Sequence, residues 1–286
     1  MRGTRGLLPR LENVEVAGVN LAYRLFTPSG AVGAGSAESA PSARRTAPRG
    51  TVLFIHGWGG AQDANDVRLA RQLAADGFVC LTFDLAGHGR SGGRVEDFTV
   101  AQFLAQAVAA YDLLVATDVA DTCAAGEAGG RSSAGPSTPP YVCGSSFGAY
   151  LALLLSAERP VAGLGLRVPA NYPDSIFNGP PVAAYIASAA PREWRSQPCG
   201  PAENRALAAL AAFAGPVQLL AAGRDETIPC QTTENFISAA RPGALQYHLL
   251  AEATHTLYAT PAMRREACRL VREWLLAQTG HAMARA

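Results

Sequence analysis

The spacing of hydrophobic residues changes several times along the chain, and each change marks a predicted element. Residues 12–17 and 19–26 alternate between polar and apolar positions on either side of Gly18, which predicts an antiparallel hairpin. Six later segments are short, mostly continuous apolar runs, as expected for strands that are covered on both faces. They are residues 51–55, 78–83, 141–143, 161–166, 217–221 and 245–250.

Between these runs, apolar residues recur at intervals of three and four, which predicts helices. The helical segments are residues 67–74, 100–114, 150–155 and 263–275. Alternating strands and helices predict an α/β fold, with an open, mostly parallel sheet, helices on both faces and an antiparallel hairpin at its start. Ligands of such sheets bind beyond the carboxyl ends of the strands, so functional residues are expected there.

Two stretches, residues 28–50 and 122–140, are rich in Ala, Gly, Ser and Pro. Strongly patterned sequence flanks both of them. We interpret them as surface loops or disordered insertions and not as linkers between domains. The sequence therefore predicts a single domain over residues 1–286.

Composition and charge exclude several classes of function. The 24 basic and 23 acidic residues give a net charge of +1, so no strong field favours nucleic acid or an anionic membrane. Every basic residue is arginine, and the lack of lysine excludes Schiff-base chemistry and a Walker A phosphate loop. No uninterrupted apolar run approaches the length of a membrane span and no export signal is recognisable, so we expect a cytoplasmic protein.

The six cysteines form no C-x-x-C pair, and the histidines do not cluster at metal-ligand spacing. We therefore expect neither a disulfide framework nor a metal site nor a cofactor. No feature of the sequence predicts the oligomeric state.

A candidate nucleophile follows the strand at residues 141–143. The sequence Gly144-Ser145-Ser146-Phe147-Gly148 has the form G-x-S-x-G and directly precedes an apolar helix. The two glycines permit the sharp turn of a nucleophile elbow around Ser146, whereas Ser145 lacks such flanking glycines. Phe147 begins the helix, so its backbone N–H is the expected donor to a developing oxyanion.

The first parallel strand ends in His56-Gly57-Trp58-Gly59-Gly60. A glycine-rich loop at this edge of the sheet allows a second backbone N–H, that of Trp58, to point at the same oxyanion. The alternative is a flexible turn in which the tryptophan only packs. We interpret His56 as structural.

These motifs resemble those of the α/β-hydrolase superfamily. The segment Asp84-Leu85-Ala86-Gly87-His88-Gly89-Arg90-Ser91 is also similar to the superfamily's D-x-x-G-H-G-x-S loop. The resemblance covers about residues 12–278, except for the two low-complexity stretches. It implies that the loop shapes the site without acting in catalysis. A serine nucleophile disfavours the superfamily's haloalkane dehalogenases and epoxide hydrolases, which use aspartate, and its dienelactone hydrolases, which use cysteine.

A serine hydroxyl requires a histidine base and an acid that orients the histidine, in the chain order Ser, acid, His. The segment Ala222-Gly223-Arg224-Asp225-Glu226-Thr227-Ile228-Pro229 is similar to the family's G-x-D-x-x-x-P acid loop, which implies Asp225 as the acid, with Glu226 as the alternative. His255 follows the strand at residues 245–250 and is the expected base. His248 lies within that strand and His281 near the end of the chain, so neither is favoured.

The resemblance also implies a short lid over about residues 169–215. Aromatic and aliphatic side chains there are expected to line the substrate pocket: Tyr172, Ile176, Phe177, Tyr185 and Trp194. Arg167 ends the preceding strand, and we expect it to pair with Asp174 or Glu193 and not with a substrate carboxylate.

The sequence thus predicts a serine hydrolase that cleaves a carboxylic ester of a small or medium acyl group through an acyl-enzyme on Ser146. The ester is preferred on family frequency alone, since no residue identifies the leaving group. The expected partner is a small-molecule acyl substrate, without nucleic acid or membrane. A peptidase, a thioesterase and an acyltransferase are alternatives with the same triad, and a non-catalytic ligand-binding protein is the alternative from another class.

Overall fold

The computed structural model describes residues 9–28, 48–62, 64–123 and 138–283. Most of the two predicted loops, residues 28–50 and 122–140, lies outside the described residues. The single domain over residues 1–286 stays a prediction.

Eight strands form one sheet in the order β1-β2-β4-β3-β5-β6-β7-β8. The strands are β1 (Glu12–Val16), β2 (Val19–Phe26), β3 (Gly50–Ile55), β4 (Phe78–Phe83), β5 (Tyr141–Ser145), β6 (Gly163–Arg167), β7 (Val217–Ala222) and β8 (Leu245–Leu250). The first two strands pair antiparallel, β2 pairs antiparallel with β4, and every other pair is parallel. The predicted fold class, a mostly parallel sheet entered through an antiparallel hairpin, is confirmed.

The last strand differs from the prediction in its surroundings. The apolar run at residues 245–250 was expected to be covered on both faces, but β8 lies at the edge of the sheet and pairs with β7. Tyr247 is 40% exposed and Leu249 is 56% exposed. The expectation of full cover is wrong because an apolar run shows that a strand forms but not where in the sheet it is placed.

Eight α-helices accompany these strands in the described ranges. They are α1 (Ala64–Ala75), α2 (Val100–Cys123), α3 (Phe147–Ser156), α4 (Val182–Ile186), α5 (Ala190–Arg195), α6 (Arg205–Ala212), α7 (Cys230–Ala239) and α8 (Pro261–Met283). The helical spacing predicted α1, α2, α3 and α8 but not the other four. Because α2 continues to Cys123, it includes the first two residues of the predicted loop at 122–140.

The core has one apolar cluster on each face of the sheet. Residues of α2, α3 and α6 belong to one cluster, and residues of α1 and α8 belong to the other. Within α2, the segment Val100–Thr117 is long and apolar enough to cross a membrane by length and composition. Phe103, Ala107 and Leu114 of this segment are buried in the first cluster, so packing against the sheet accounts for its hydropathy.

Candidate active site

The candidate nucleophile lies on a strained turn between β5 and α3. Ser146 has φ 51° and ψ −112°, a conformation that L-residues rarely adopt. A Cβ atom at Gly144 would overlap the carbonyl group of Gly148, and one at Gly148 would overlap the carbonyl oxygen of Ile55. The two glycines of G-x-S-x-G are therefore required for the close approach of α3 to β3 and β5.

Backbone hydrogen bonds hold this turn on the neighbouring strand. The Ser146 N–H donates to the Arg167 carbonyl at 2.9 Å, and the Ala170 N–H donates to the Ser146 carbonyl at 3.2 Å. Both partners lie at the carboxyl end of β6 or just beyond it. The orientation of the elbow thus depends on how β6 ends.

The structure brings Ser146, His255 and Asp225 together by side-chain hydrogen bonds. The His255 Nε2 atom lies 3.0 Å from Ser146 Oγ, and its Nδ1 atom lies 3.0 Å from Asp225 Oδ2. The side chain of His255 is 18% exposed and that of Asp225 is 7% exposed. A base is therefore within reach of both the serine hydroxyl and the acid, as general-base activation of a hydroxyl requires.

The acid loop fixes the Asp225 carboxylate by its other oxygen. Asp225 Oδ1 accepts the backbone N–H groups of Thr227 at 2.9 Å and Ile228 at 2.7 Å. The second oxygen, Oδ2, is thereby directed toward the imidazole.

Glu226, the alternative acid, does not contact the imidazole ring in this arrangement. Its carboxylate accepts the backbone N–H of His255 at 3.3 Å, and its carbonyl oxygen accepts a bond from Arg192 at 2.7 Å. Glu226 thus supports the backbone that carries the base, and α5, within the predicted lid, contacts the acid loop through Arg192.

The glycine-rich loop after β3 runs close to the nucleophile. A Cβ atom at Gly57 would lie 3.3 Å from the Cβ atom of Ser146. The Trp58 ring packs edge-on against Phe147 at 5.5 Å and Phe103 at 5.8 Å. The loop therefore lies beside the nucleophile, and the oxyanion donors Trp58 N–H and Phe147 N–H stay predictions.

Two further histidines near this loop are used structurally. His56 Nε2 accepts the Leu85 N–H at 2.9 Å, so its proton is on Nδ1, which lies 2.7 Å from the Gly57 carbonyl. The Nδ1 atom of His88 lies 2.9 Å from the Ala86 carbonyl, and burial lowers the pKa of His88 below its ordinary value. Neither ring approaches Ser146 through a hydrogen bond in the described part of the chain.

Asp84 organises its own loop, residues 84–91, which the family resemblance implies to shape the site. Its buried carboxylate accepts the backbone N–H of Arg90 at 3.0 Å and that of Gln62. Since Gln62 closely follows the glycine-rich loop, Asp84 connects two site-forming segments without contact to the triad.

The predicted pocket residues divide into buried and partly exposed side chains. Tyr172 and Ile176 are buried within the first core cluster, and their contact with a substrate stays a prediction. The Arg205 guanidinium covers the Phe177 ring at 3.8 Å. Tyr185 and Trp194 are partly exposed on α4 and α5 and stay candidates for substrate contact.

Arg167 pairs with a residue that sequence reasoning missed. Its Nη1 atom lies 2.6 Å from Asp66 Oδ1, near the start of α1. Neither expected partner is used, because Asp174 pairs with Arg205 at 3.3 Å and no ion pair joins Arg167 to Glu193 in the described ranges. The pairing is structural, as expected, but the two residues are 101 positions apart and no local pattern connects them.

The described residues contain no group of three or more His, Cys, Asp or Glu side chains able to hold a metal ion. The cysteines whose side chains the structure describes carry free thiols: Cys80, Cys143, Cys199, Cys230 and Cys268. Burial raises the pKa of Cys143 to about 12, so this thiol next to the elbow is not a nucleophile at neutral pH.

The fold and the serine, histidine and aspartate at the carboxyl edge of its sheet define the α/β-hydrolase class. The model of the alpha/beta hydrolase family matches residues 52–285, and the chain belongs to this family.

Among curated proteins, the chain is similar to a monoacylglycerol lipase of Mycolicibacterium smegmatis, with 27% identity over 172 residues. The match covers 59% of this chain and 46% of the lipase.

Two solved structures share the fold. A soluble variant of monoglyceride lipase from Saccharomyces cerevisiae, in complex with a substrate analogue, aligns with a TM-score of 0.64 and 15% identity over 96% of this chain and 97% of that one. Est1E from Butyrivibrio proteoclasticus with bound ferulic acid aligns with a TM-score of 0.62 and 17% identity over 94% and 99% of the two chains.

Proposed function

We propose that this α/β hydrolase is a serine esterase that cleaves carboxylic esters of small or medium acyl groups. The observation that carries the proposal is the hydrogen-bonded series from Ser146 through His255 to Asp225, with 3.0 Å at each step. The name of the curated lipase favours an ester as the bond that is cleaved. We further propose a small-molecule substrate and a cytoplasmic location, with neither nucleic acid nor a membrane as partner.

The proton of the serine hydroxyl moves to the imidazole in the first step. Asp225 accepts the Nδ1–H of His255, so the free electron pair of the neutral ring is on Nε2 and faces Ser146 Oγ. As Oγ attacks the acyl carbon, His255 takes the proton and Asp225 stabilises the resulting imidazolium. The backbone N–H groups of Trp58 and Phe147 bind the carbonyl oxygen as it becomes negative.

The tetrahedral intermediate that this attack forms then collapses to an acyl-enzyme, which water hydrolyses in a second stage. His255 returns its proton to the leaving alkoxide, which departs as an alcohol and leaves the acyl group on Ser146. Water enters, gives a proton to His255 and attacks the acyl carbon. The carboxylic acid departs, and the proton returns to Ser146 Oγ.

Replacement of the nucleophile tests the proposal. We expect Ser146→Ala to lower kcat for short nitrophenyl esters by about 10⁶-fold, because members of such a triad act as one unit. Ser145→Ala is the matched control, since it removes the adjacent hydroxyl and should retain most of the activity. A fluorophosphonate probe followed by peptide mapping should label Ser146 in the folded wild-type protein.

A loss of less than tenfold in Ser146→Ala would place the nucleophile elsewhere. Folded protein that neither labels at Ser146 nor turns over esters would support the non-catalytic ligand-binding alternative. Parallel assays with amides and thioesters of the same acyl groups separate an esterase from a peptidase or a thioesterase.

A further inference from the structure

We propose that Arg167, Asp66 and Tyr258 form a positioning network that sets the distance between the nucleophile and the base. This inference rests on the proposed function, because it assigns these residues a part in the proton transfer from Ser146 to His255. None of the three contacts the reacting atoms through a hydrogen bond within the described residues.

A single nitrogen atom connects the three side chains. Arg167 Nη1 donates to Asp66 Oδ1 at 2.6 Å and to Tyr258 Oη at 2.7 Å. Arg167 is 1% exposed and Asp66 is 3% exposed, so the contact is shielded from water. A guanidinium stays charged in proteins, and a buried ion pair between well-placed partners has a defined geometry.

The network is connected to the nucleophile through the backbone of Arg167. The Arg167 carbonyl accepts the N–H of Ser146, and the pairing of β5 with β6 places Arg167 beside Ser145. A shift of the Arg167 side chain is therefore coupled to the strand end that orients the elbow.

The network is connected to the base through Tyr258, three residues after His255. Ala253 and Leu257 on either side of His255 are buried in the second core cluster, to which Val168, the residue after Arg167, also belongs. Leu257 has φ 54°, a costly conformation for a residue with a side chain, so its surroundings must hold the loop in place. The Tyr258 hydroxyl supplies a directional bond directly after this strained residue.

The Arg167 Nε and Nη2 atoms have no hydrogen-bond partner in the described part of the protein. Both described hydrogen bonds of the guanidinium are therefore made by Nη1, and Tyr258 Oη is one of its two acceptors. Because proton transfer requires near-contact geometry, a small displacement of His255 is expected to affect kcat more than KM.

The variant Tyr258→Phe removes the hydroxyl and keeps the ring. We expect kcat for a short nitrophenyl ester to fall by about 10- to 100-fold, with KM nearly unchanged. The low-field proton resonance of the His255 Nδ1–H, which is bonded to Asp225, should shift or broaden in the same variant. Asp66→Asn, which keeps the shape but removes the charge, should change both readouts in the same direction.

Tyr111→Phe is the matched control. The Tyr111 hydroxyl donates to the Pro160 carbonyl, away from the triad, so its loss should leave both kcat and the low-field resonance unchanged. The proposal is overturned if Tyr258→Phe keeps wild-type kcat and an unchanged resonance, even if its thermal stability falls.

If the proposed function is wrong, the wild-type protein does not hydrolyse esters and kcat cannot be compared. The resonance of the His255 proton still reports the position of the base in such a protein. A Tyr258→Phe variant with an unchanged resonance would then overturn the positioning role by itself.

Discussion

The choice between two adjacent carboxylates at the acid position is decided by single hydrogen bonds. Asp225 and Glu226 lie on the same turn, but only the Asp225 side chain bonds to the ring of His255. Glu226 bonds to the His255 backbone N–H at 3.3 Å and is exposed. The two residues therefore have separable roles, because one holds the tautomer of the base and the other holds its loop.

We expect Asp225→Asn to lower kcat/KM for ester substrates by about 10⁴-fold, because an amide disturbs the tautomer of the histidine and cannot stabilise its charged form. Glu226→Gln keeps a side-chain oxygen that can accept the His255 backbone N–H, so its effect should be far smaller. Steady-state kinetics of both variants beside the wild type measure the difference. Full activity in Asp225→Asn would make Glu226 the acid.

The start of α6 determines how the segment after β6 is held. Asn204 caps this helix, since its Oδ1 atom accepts the N–H groups of Ala206 at 3.1 Å and Leu207 at 3.2 Å. Its Nδ2 atom donates to the carbonyl of Tyr172 at 2.7 Å. One buried amide thus joins a helix terminus to the segment that follows β6.

Asn204→Ala should lower the free energy of unfolding by about 1–2 kcal/mol, because the first turn of α6 loses its cap. Ser188→Ala is the comparison: the Ser188 hydroxyl accepts the N–H of Ala190 at 3.2 Å on the exposed, short α5, and its loss should cost less than about 0.5 kcal/mol. Urea denaturation followed by circular dichroism measures both. Equal losses in the free energy of unfolding would contradict the proposed stabilising role of the Asn204 cap.

Across the whole molecule, α8 packs on one face of the sheet together with α1 and is bonded to the turn that follows α1. Arg272 bonds to Asp76 at 2.5 and 2.6 Å across 196 positions. Trp274 is buried, packs edge-on against Tyr141 at 6.0 Å and lies against Gly165 in the middle of β6. The strands that carry the site are therefore supported from beneath by the last helix.

Trp274→Ala should lower the free energy of unfolding by about 3–5 kcal/mol, because a large side chain leaves a cavity under the central strands. Trp274→Phe fills much of that volume and should cost clearly less. Trp194→Ala, on a partly exposed helix, controls for the loss of a tryptophan. Urea titration followed by circular dichroism is the measurement, and a cost for Trp274→Ala no larger than that for Trp194→Ala would contradict this packing.

The sequence alone was sufficient for the strands, for the helices α1, α2, α3 and α8 and for the topology class, because hydrophobic spacing reports local burial directly. It also indicated the position of Ser146, since a glycine frame between a strand and a helix describes a turn within one short segment. Short helices such as α4 and α5 were missed because five or six residues contain less than two helical turns.

The tertiary structure alone decided which residues meet across long separations. Two such results are that β8 is an edge strand and that Arg167 pairs with Asp66, and both depend on the arrangement of distant elements around the sheet. Local periodicity records whether a side chain is buried but not which distant side chain it is buried against. The chain by itself thus determined its elements and its candidate nucleophile, whereas the packing of those elements determined the contacts around the site.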